Sequence, residues 1–478
     1  MLAEIAVSYA VVGQSDQALQ VAQRMDKSQI KVEVLSQIAY QTAKAGQAKQ
    51  AAAMFTQALQ EANKLELPPD KVMGLEAIAT KYRLVGQNDK ATEILSQAVQ
   101  GANDIWGVSF VKDTVLERIA IAYAKLGDYN RGIQVANQIV EDVPKGRALA
   151  QIVAQYVAQG EYDQAREVAN SIEAKASKAN ALIEIAPKTG EYQQALWAAQ
   201  KIDENESAQL KSIVLAKIAL LYSKAGQEKQ AAEVVSQALQ AAKRIEEPAS
   251  QVSQLTKIAL LYAQVGKKEQ AAEVCSQALQ VTRQFPDAAK KAVFLAGVAV
   301  VYGKAGRNDL ATAVFTQALQ LAQALENEDN KARTLAFIAI ASAKINPYNQ
   351  AIELTQTIGD ANIEGDALTQ MAKDYEKAGN KQQAAQALEQ AFGIVKTSKN
   401  SQQKDQRLAE IAVQLGKIAQ FDRAITVVQT IDATEKDSSK AFALARIANY
   451  YAKAGQKEKA IALLSQALQA ANTTKCSD

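Results

Sequence analysis

Leu215-Ala216-Lys217-Ile218-Ala219-Leu220-Leu221-Tyr222-Ser223-Lys224-Ala225-Gly226 is the stretch that decides the fold. Leu215, Ile218, Ala219 and Tyr222 stand at i, i+3, i+4 and i+7, which is one face of an α-helix. Gly226 then supplies a residue that tolerates the left-handed conformation ending a helix. Beyond it Ala231, Val235, Ala238 and Leu239 repeat the helical spacing, so the two segments predict an antiparallel helix pair. The frame returns at Leu116 to Gly127, Leu255 to Gly266, Leu295 to Gly306 and Leu444 to Gly455. Thirteen units can be marked, with hinges at Gly13, Gly46, Gly86, Gly127, Gly160, Gly190, Gly226, Gly266, Gly306, Asn346, Gly379, Ala419 and Gly455. Asparagine is the usual substitute for glycine at such a hinge, and alanine suits it less well.

Successive hinges lie 33, 40, 41, 33, 30, 36, 40, 40, 40, 33, 40 and 36 residues apart. The common values differ by three, four or seven, which are whole helical turns, so length varies while the apolar stripe keeps its phase. The 41-residue spacing is the exception, and its extra residue is expected in the Asn103 to Gly107 connection. Long units place a larger residue nine after the hinge and alanine twelve after it, as in Phe55/Ala58 and Cys275/Ala278. Short units invert the order, as in Ala136/Ile139, Ala169/Ile172 and Thr355/Ile358. Such exchanges hold total volume nearly constant, as a close-packed interior requires, and they put Cys275 in the core as a small hydrophobe. All seven prolines fall near predicted helix ends, where a missing N–H costs least. Residues near 180–205 read as an irregular unit, with a short first helix and a bend expected where Pro187 closely precedes Gly190.

Composition removes whole classes of chemistry. The 478 residues include no histidine, so the commonest general base and zinc ligand are missing. Lys and Arg number 54 against 51 acids, a net charge of +3 that draws neither nucleic acid nor acidic membrane. The two cysteines, Cys275 and Cys476, lie too far apart for a CxxC motif. Met1-Leu2-Ala3-Glu4-Ile5 does not read as a secretory signal, and the longest nearly unbroken apolar run, from Ala292 to Gly303, is too short for a membrane span. The expectation is a cytoplasmic protein, with no membrane contact, no catalytic or metal site and no cofactor.

Leu215, Ile218, Ala219, Tyr222, Gly226, Ala231, Val235 and Ala238 resemble the tetratricopeptide (TPR) signature, and the longer units resemble the variety found in kinesin light chains. The resemblance runs through the chain from 1 to 478. It implies an all-α solenoid, a right-handed superhelix of about thirteen helix-turn-helix repeats, whose first helices line a concave groove that holds a protein or peptide partner. Its closing proline is matched here only by Pro144. TPR proteins that grip acidic tails use Lys and Asn at groove positions that are mostly Ala, Thr, Leu and Val in this chain; Asn449 stands at one clamp position.

The groove stripe is expected one, five and eight residues after each leading leucine. In units seven to ten, within 213–345, these are Ala216, Leu220 and Ser223; Thr256, Leu260 and Ala263; Ala296, Val300 and Gly303; and Ala336, Ile340 and Ala343. The stripe is small and aliphatic, suited to an amphipathic helix or an extended apolar peptide, unless neighbouring first helices consume it by packing on one another. Lysine recurs two before the hinge, at Lys44, Lys125, Lys188, Lys224, Lys304, Lys344, Lys377, Lys417 and Lys453. It reads either as a basic ladder beside the groove, with Lys224, Lys304 and Lys344 in the contact zone, or as a complement to the helix dipole. Tyr82, Tyr123, Tyr156, Tyr222, Tyr262, Tyr302, Tyr375 and Tyr451 fall on the buried stripe, not in the exposed pattern that stacks bases. The functional expectation is a non-catalytic interaction scaffold. Alternatives are the recognition arm of a larger protein and, as a weaker reading, a helical-repeat RNA binder. Because the first helix lacks its opening turn and the last hairpin lacks a polar cover, the sequence is expected to be a segment of a longer chain or to self-associate through its ends.

Overall fold

The computed structural model describes residues 1–26, 28–107, 109–264, 266–345, 348–398, 401–432 and 438–473. Among them the chain forms twenty-six α-helices and no strand. Contacts gather these into two compact units, residues 2–234 and 235–478. In the first, the first helices of successive hairpins are α1 (Leu2–Val11), α3 (Gln29–Lys44), α5 (Pro68–Leu84), α7 (Ser109–Leu126), α9 (Asp142–Gln159), α11 (Lys175–Thr189) and α13 (Glu204–Lys224). Their second helices are α2 (Ser15–Gln23), α4 (Ala48–Asn63), α6 (Asn88–Asn103), α8 (Tyr129–Ala136), α10 (Tyr162–Ser171) and α12 (Tyr192–Gln200), and the unit boundary falls inside α14 (Glu228–Lys243). The second unit has first helices α15 (Pro248–Gln264), α17 (Ala288–Lys304), α19 (Glu328–Ser342), α21 (Ala361–Lys377), α23 (Ser401–Lys417) and α25 (Ser439–Lys453). Its second helices are α16 (Lys268–Arg283), α18 (Asn308–Gln323), α20 (Tyr348–Thr355), α22 (Lys381–Val395), α24 (Phe421–Gln429) and α26 (Lys457–Thr473). In each unit first helices pack on their own second helices and on the first helices of adjacent hairpins, which is the solenoid arrangement.

The hinges close in one way. Each hinge glycine has φ between 73° and 86°. At Gly226 the amide of Gln227 donates to the carbonyl of Tyr222 at 2.9 Å, and Gly226 N–H donates to Ser223. That pairing satisfies carbonyls the helix end would otherwise leave open. The bond to the frame tyrosine recurs from Gln87 to Tyr82, Asp128 to Tyr123, Lys267 to Tyr262, Arg307 to Tyr302 and Gln456 to Tyr451. Ala419 takes the same left-handed conformation at φ 66°, with Gln420 donating to Leu415 at 2.9 Å. The hinge expected at Asn346 lies outside the described residues.

The irregular hinge is Gly190. Its own N–H donates to Ala186 at 2.8 Å, and the Glu191 amide turns to the hydroxyl of Thr189. Here the frame tyrosine is alanine. At Pro187, where a bend is expected, α11 carries the proline in its last turn and runs on to Thr189. So near the C-terminus the proline removes one bond without stopping the helix. The non-helical torsion occurs instead at Ser207 (φ −161°, ψ 80°), inside α13.

Second helices come in two lengths. α2, α8, α10, α12, α20 and α24 have 8 to 10 residues, and the others 15 to 17. In the long class Phe55, Ala58, Cys275 and Ala278 are all buried. In the short class Ile139, Ile172, Ile202 and Ile358 are buried just beyond the helix end. Four of the six short hairpins also place an aromatic two residues after the hinge that lies against the next frame tyrosine. Tyr129 meets Tyr156 at 4.0 Å, Tyr192 meets Tyr222 at 5.2 Å, and Phe421 stacks on Tyr451 at 4.1 Å. The eight frame tyrosines are buried as expected, and large apolar rings of this kind dominate core energetics. Among the described residues, no helix is long and apolar enough to cross a membrane.

A left-handed alanine costs about 1–2 kcal/mol, and glycine returns part of this as unfolded-state entropy. Ala419→Gly should therefore raise stability by about 0.5–1 kcal/mol. Gly226→Ala should lower it by about 1 kcal/mol through torsion alone, since a Cβ at Gly226 meets nothing within 4 Å. Urea midpoints moving in opposite directions for the two variants would bear this out, and movement in the same direction would refute it.

Candidate functional site

The stripe residues of the second unit divide into two groups. On α15 Thr256, Leu260 and Ala263 are half-buried, as are Val300 on α17 and Ile340 on α19. Ala296 and Ala336 are buried at the helix–helix contact, at 0% and 7% exposure. Gly303 is covered: a Cβ there would come within 2.7 Å of Ile345 Cδ1. The Thr256 hydroxyl donates to the carbonyls of Val252 and Ser253, each at 2.9 Å, so it serves its own helix. Packing between first helices thus takes up part of the stripe and leaves Leu260, Val300 and Ile340 partly accessible, with Ala343 beside them at the end of α19. In the first unit Ala216, Leu220 and Ser223 on α13 are half-buried and Lys224 is exposed.

The hinge lysines divide as well. Lys304 is exposed in the last turn of α17, where a cation complements the helix dipole. Lys344 reaches Asp374 of α21 at 3.9 Å, and Lys417 pairs with Glu376 of the same helix at 2.8 Å. These two join neighbouring first helices, a role that neither sequence reading assigned them. Other first-helix charges bond likewise. Arg407 grips Asp366 through two bonds of 2.8 and 2.9 Å, and Lys373 meets Glu410 at 3.0 Å. Burial alone would raise the Glu410 carboxyl, but hydrogen bonds from Lys373 and Gln414 and the charges of Lys373 and Arg446 hold it below the usual range. In the first unit Arg118 pairs with Glu76 at 2.5 Å, and Arg147 with Glu117 through bonds of 2.9 and 2.7 Å. Exposed pairs of this kind contribute about 0–1 kcal/mol each, so they fix register more than they stabilise.

Open space is found beside the first helices of other hairpins. A cleft of about 500 Å³ opens in the first unit, lined by the aliphatic Ala3, Val7, Ile30 and Val34 and by the charged Glu33, Glu76, Lys81 and Arg118. A second, of about 220 Å³, lies between α5 and α7 among Glu76, Thr80, Arg83, Arg118, Ile121 and Lys125. Burial lowers the affinity of Lys81 for its proton, although Glu33 and Glu76 oppose that effect. Glu76, Thr80 and Arg83 hold the first, fifth and eighth positions after Leu75, so this is the predicted stripe in a different hairpin. In the second unit a cleft of about 390 Å³ lies between α21 and α23 among Asp366, Thr369, Gln403, Gln406, Arg407 and Glu410. Among the described residues, no group of three acidic or cysteine side chains could hold a metal ion.

The family model described as tetratricopeptide repeat matches residues 443–474, the last hairpin. That hairpin is a tetratricopeptide (TPR) repeat. The other hairpins share its frame, with the tyrosine replaced by Thr42 in the second, Ala186 in the sixth, Ser342 in the tenth and Leu415 in the twelfth, where the left-handed hinge is Ala419. No curated protein sequence matches the chain. Among solved structures it is similar to Ton1535 from Thermococcus onnurineus NA1, at 17% identity and TM-score 0.27, covering 74% of this chain and 94% of that one. It is similar to BtubC from P. vanneervenii at 17% identity and TM-score 0.28, covering 44% and 90%. A Rap protein complexed with competence and sporulation factor aligns at 13% identity and TM-score 0.29, covering 76% and 97%. At these scores the likenesses carry no inference about this chain.

Cys275 is fully buried, and burial pushes its thiol up to about 12. It should therefore be inert to a thiol-specific disulfide reagent at pH 8 in a Cys476→Ser background. Labelling is expected only at the rate of unfolding; stoichiometric labelling of the native protein would contradict the burial.

Proposed function

We infer that this TPR chain is a non-catalytic scaffold that takes a protein or peptide partner along the face formed by its first helices. The supporting observation is positional. Clefts in both units open between consecutive first helices, and their walls include the frame positions one, five and eight: Glu76, Thr80 and Arg83 in the first unit, Thr369 in the second. Two kinds of surface are offered there. The first-unit cleft is lined by both aliphatic and charged side chains, which suits an amphipathic segment. On α15, α17 and α19 the half-buried Leu260, Val300 and Ile340 give an aliphatic surface between charged neighbours. The small net charge favours protein over nucleic acid as the ligand.

Leu260→Glu with Val300→Glu tests the second surface, and Val7→Glu with Ala77→Glu the first. Each pair places carboxylates on half-buried positions, so both should keep the helical circular dichroism. Partners captured by the wild-type chain and quantified by mass spectrometry should fall at least tenfold with one of the two pairs. Capture undiminished by both would remove the first-helix face from consideration, and RNA in place of protein in the eluate would reverse the ligand class.

A further inference from the structure

Six large apolar side chains stand further into solvent than any others among the described residues: Trp106 at 86%, Val140 at 74%, Phe110 at 68%, Leu67 at 63%, Ile30 at 59% and Val143 at 58%. All six belong to the first unit, and all sit where the chain enters a first helix. Ile30, Phe110 and Val143 are the second residues of α3, α7 and α9, Leu67 immediately precedes α5, and Trp106 and Val140 lie in the connections before α7 and α9. Because α3 packs on α5, α5 on α7, and α7 on α9, and each hairpin returns the chain to the same direction, these helix starts line one edge. The Asp113 carboxylate fixes part of that edge. Buried on α7 one turn after Phe110, it accepts the amides of Val140 and Glu141 at 3.2 and 3.0 Å and so brings Val140 against the start of α7.

Single exposed apolar residues need no partner, but a contiguous row of them marks a contact. Carboxylates accompany it: Asp26, Glu66, Asp104, Glu141 and Asp142 are exposed on the same connections. The exposed cations described there are Arg24 and Lys64, and Glu61 already holds Lys64 at 2.7 Å. The step of the row also matches a helix. Packed helices lie about 8–10 Å apart, and seven residues of an α-helix advance about 10 Å. A helix laid along this edge therefore meets one apolar position per hairpin with each heptad.

We propose that the edge formed by the starts of α3, α5, α7 and α9 is a second docking surface, adjoining the first-unit cleft at Ile30, for an amphipathic helix bearing large apolar residues at heptad spacing and flanked by lysine or arginine. Ile30, Leu67, Phe110 and Val143 supply the apolar contacts, Trp106 and Val140 widen them, and the five carboxylates receive the basic flanks.

The two tryptophans of the chain are Trp106 and Trp197, so Trp197→Phe leaves Trp106 as the single indole reporter. Titration of this full-length variant with a synthetic four-heptad peptide, leucine at one position per heptad and lysine on both flanks, should shift Trp106 emission to the blue with saturation. Affinity should fall at least tenfold in Leu67→Ser with Phe110→Ser, and should weaken with salt. Both changes are at exposed positions, and an unchanged thermal midpoint will establish that the variant is folded. Leu260→Glu with Val300→Glu should leave this affinity unaltered. Three results would overturn the proposal: no saturable shift, equal binding of a glutamate-flanked peptide, or a concentration-dependent dimer that Phe110→Ser dissociates, which would make a second copy the occupant.

Discussion

The bond from the residue after each hinge to a carbonyl one turn inside the first helix is the constraint on which the architecture rests. It requires a left-handed residue, and once that is in place the second helix can only leave antiparallel to the first. Every packing contact follows from this reversal: frame tyrosines beneath the hinge, alanines where second helices press closest, and first helices side by side in a common direction. Gly190 shows the dependence from the opposite side. With alanine in place of the frame tyrosine and proline beside it, the hinge closes by a different bond, and the next first helix contains the non-helical Ser207.

The hinges and buried stripes were legible in the sequence because both rest on local chemistry. Glycine at fixed distance from Leu, Ile-Ala and Tyr states the torsion and the apolar face together, and even Ala419 could be assigned from its position. Asn346 lies outside the described residues. The aromatic two after the hinge in short hairpins, Tyr129 or Phe421, was also in view, but its meaning depends on the tyrosine of the next hairpin.

The surface was less legible. Whether a stripe residue faces solvent depends on side-chain size on the adjacent first helix, some 30 to 40 positions away. Hence a Cβ at Gly303 would meet Ile345 of the next hairpin, and a cleft opens at Val7 and Lys81. Lys344 and Lys417 illustrate the same limit, since their partners Asp374 and Glu376 lie on another hairpin. The row from Ile30 to Val143 escaped for a further reason. Leu67, Trp106 and Val140 sit in connections, which have no helical phase, and Ile30, Phe110 and Val143 lie in first turns, ahead of the leading leucine at which the repeated frame begins.

The hinge bond uses main-chain atoms alone, and this bears on how such a chain can change. A hairpin brings its own closure wherever it is placed, needing from its neighbours only an apolar face of the same phase. Whole hairpins can therefore be duplicated or lost in one event without compensating substitutions, whereas loss of part of a turn would rotate every later stripe out of alignment.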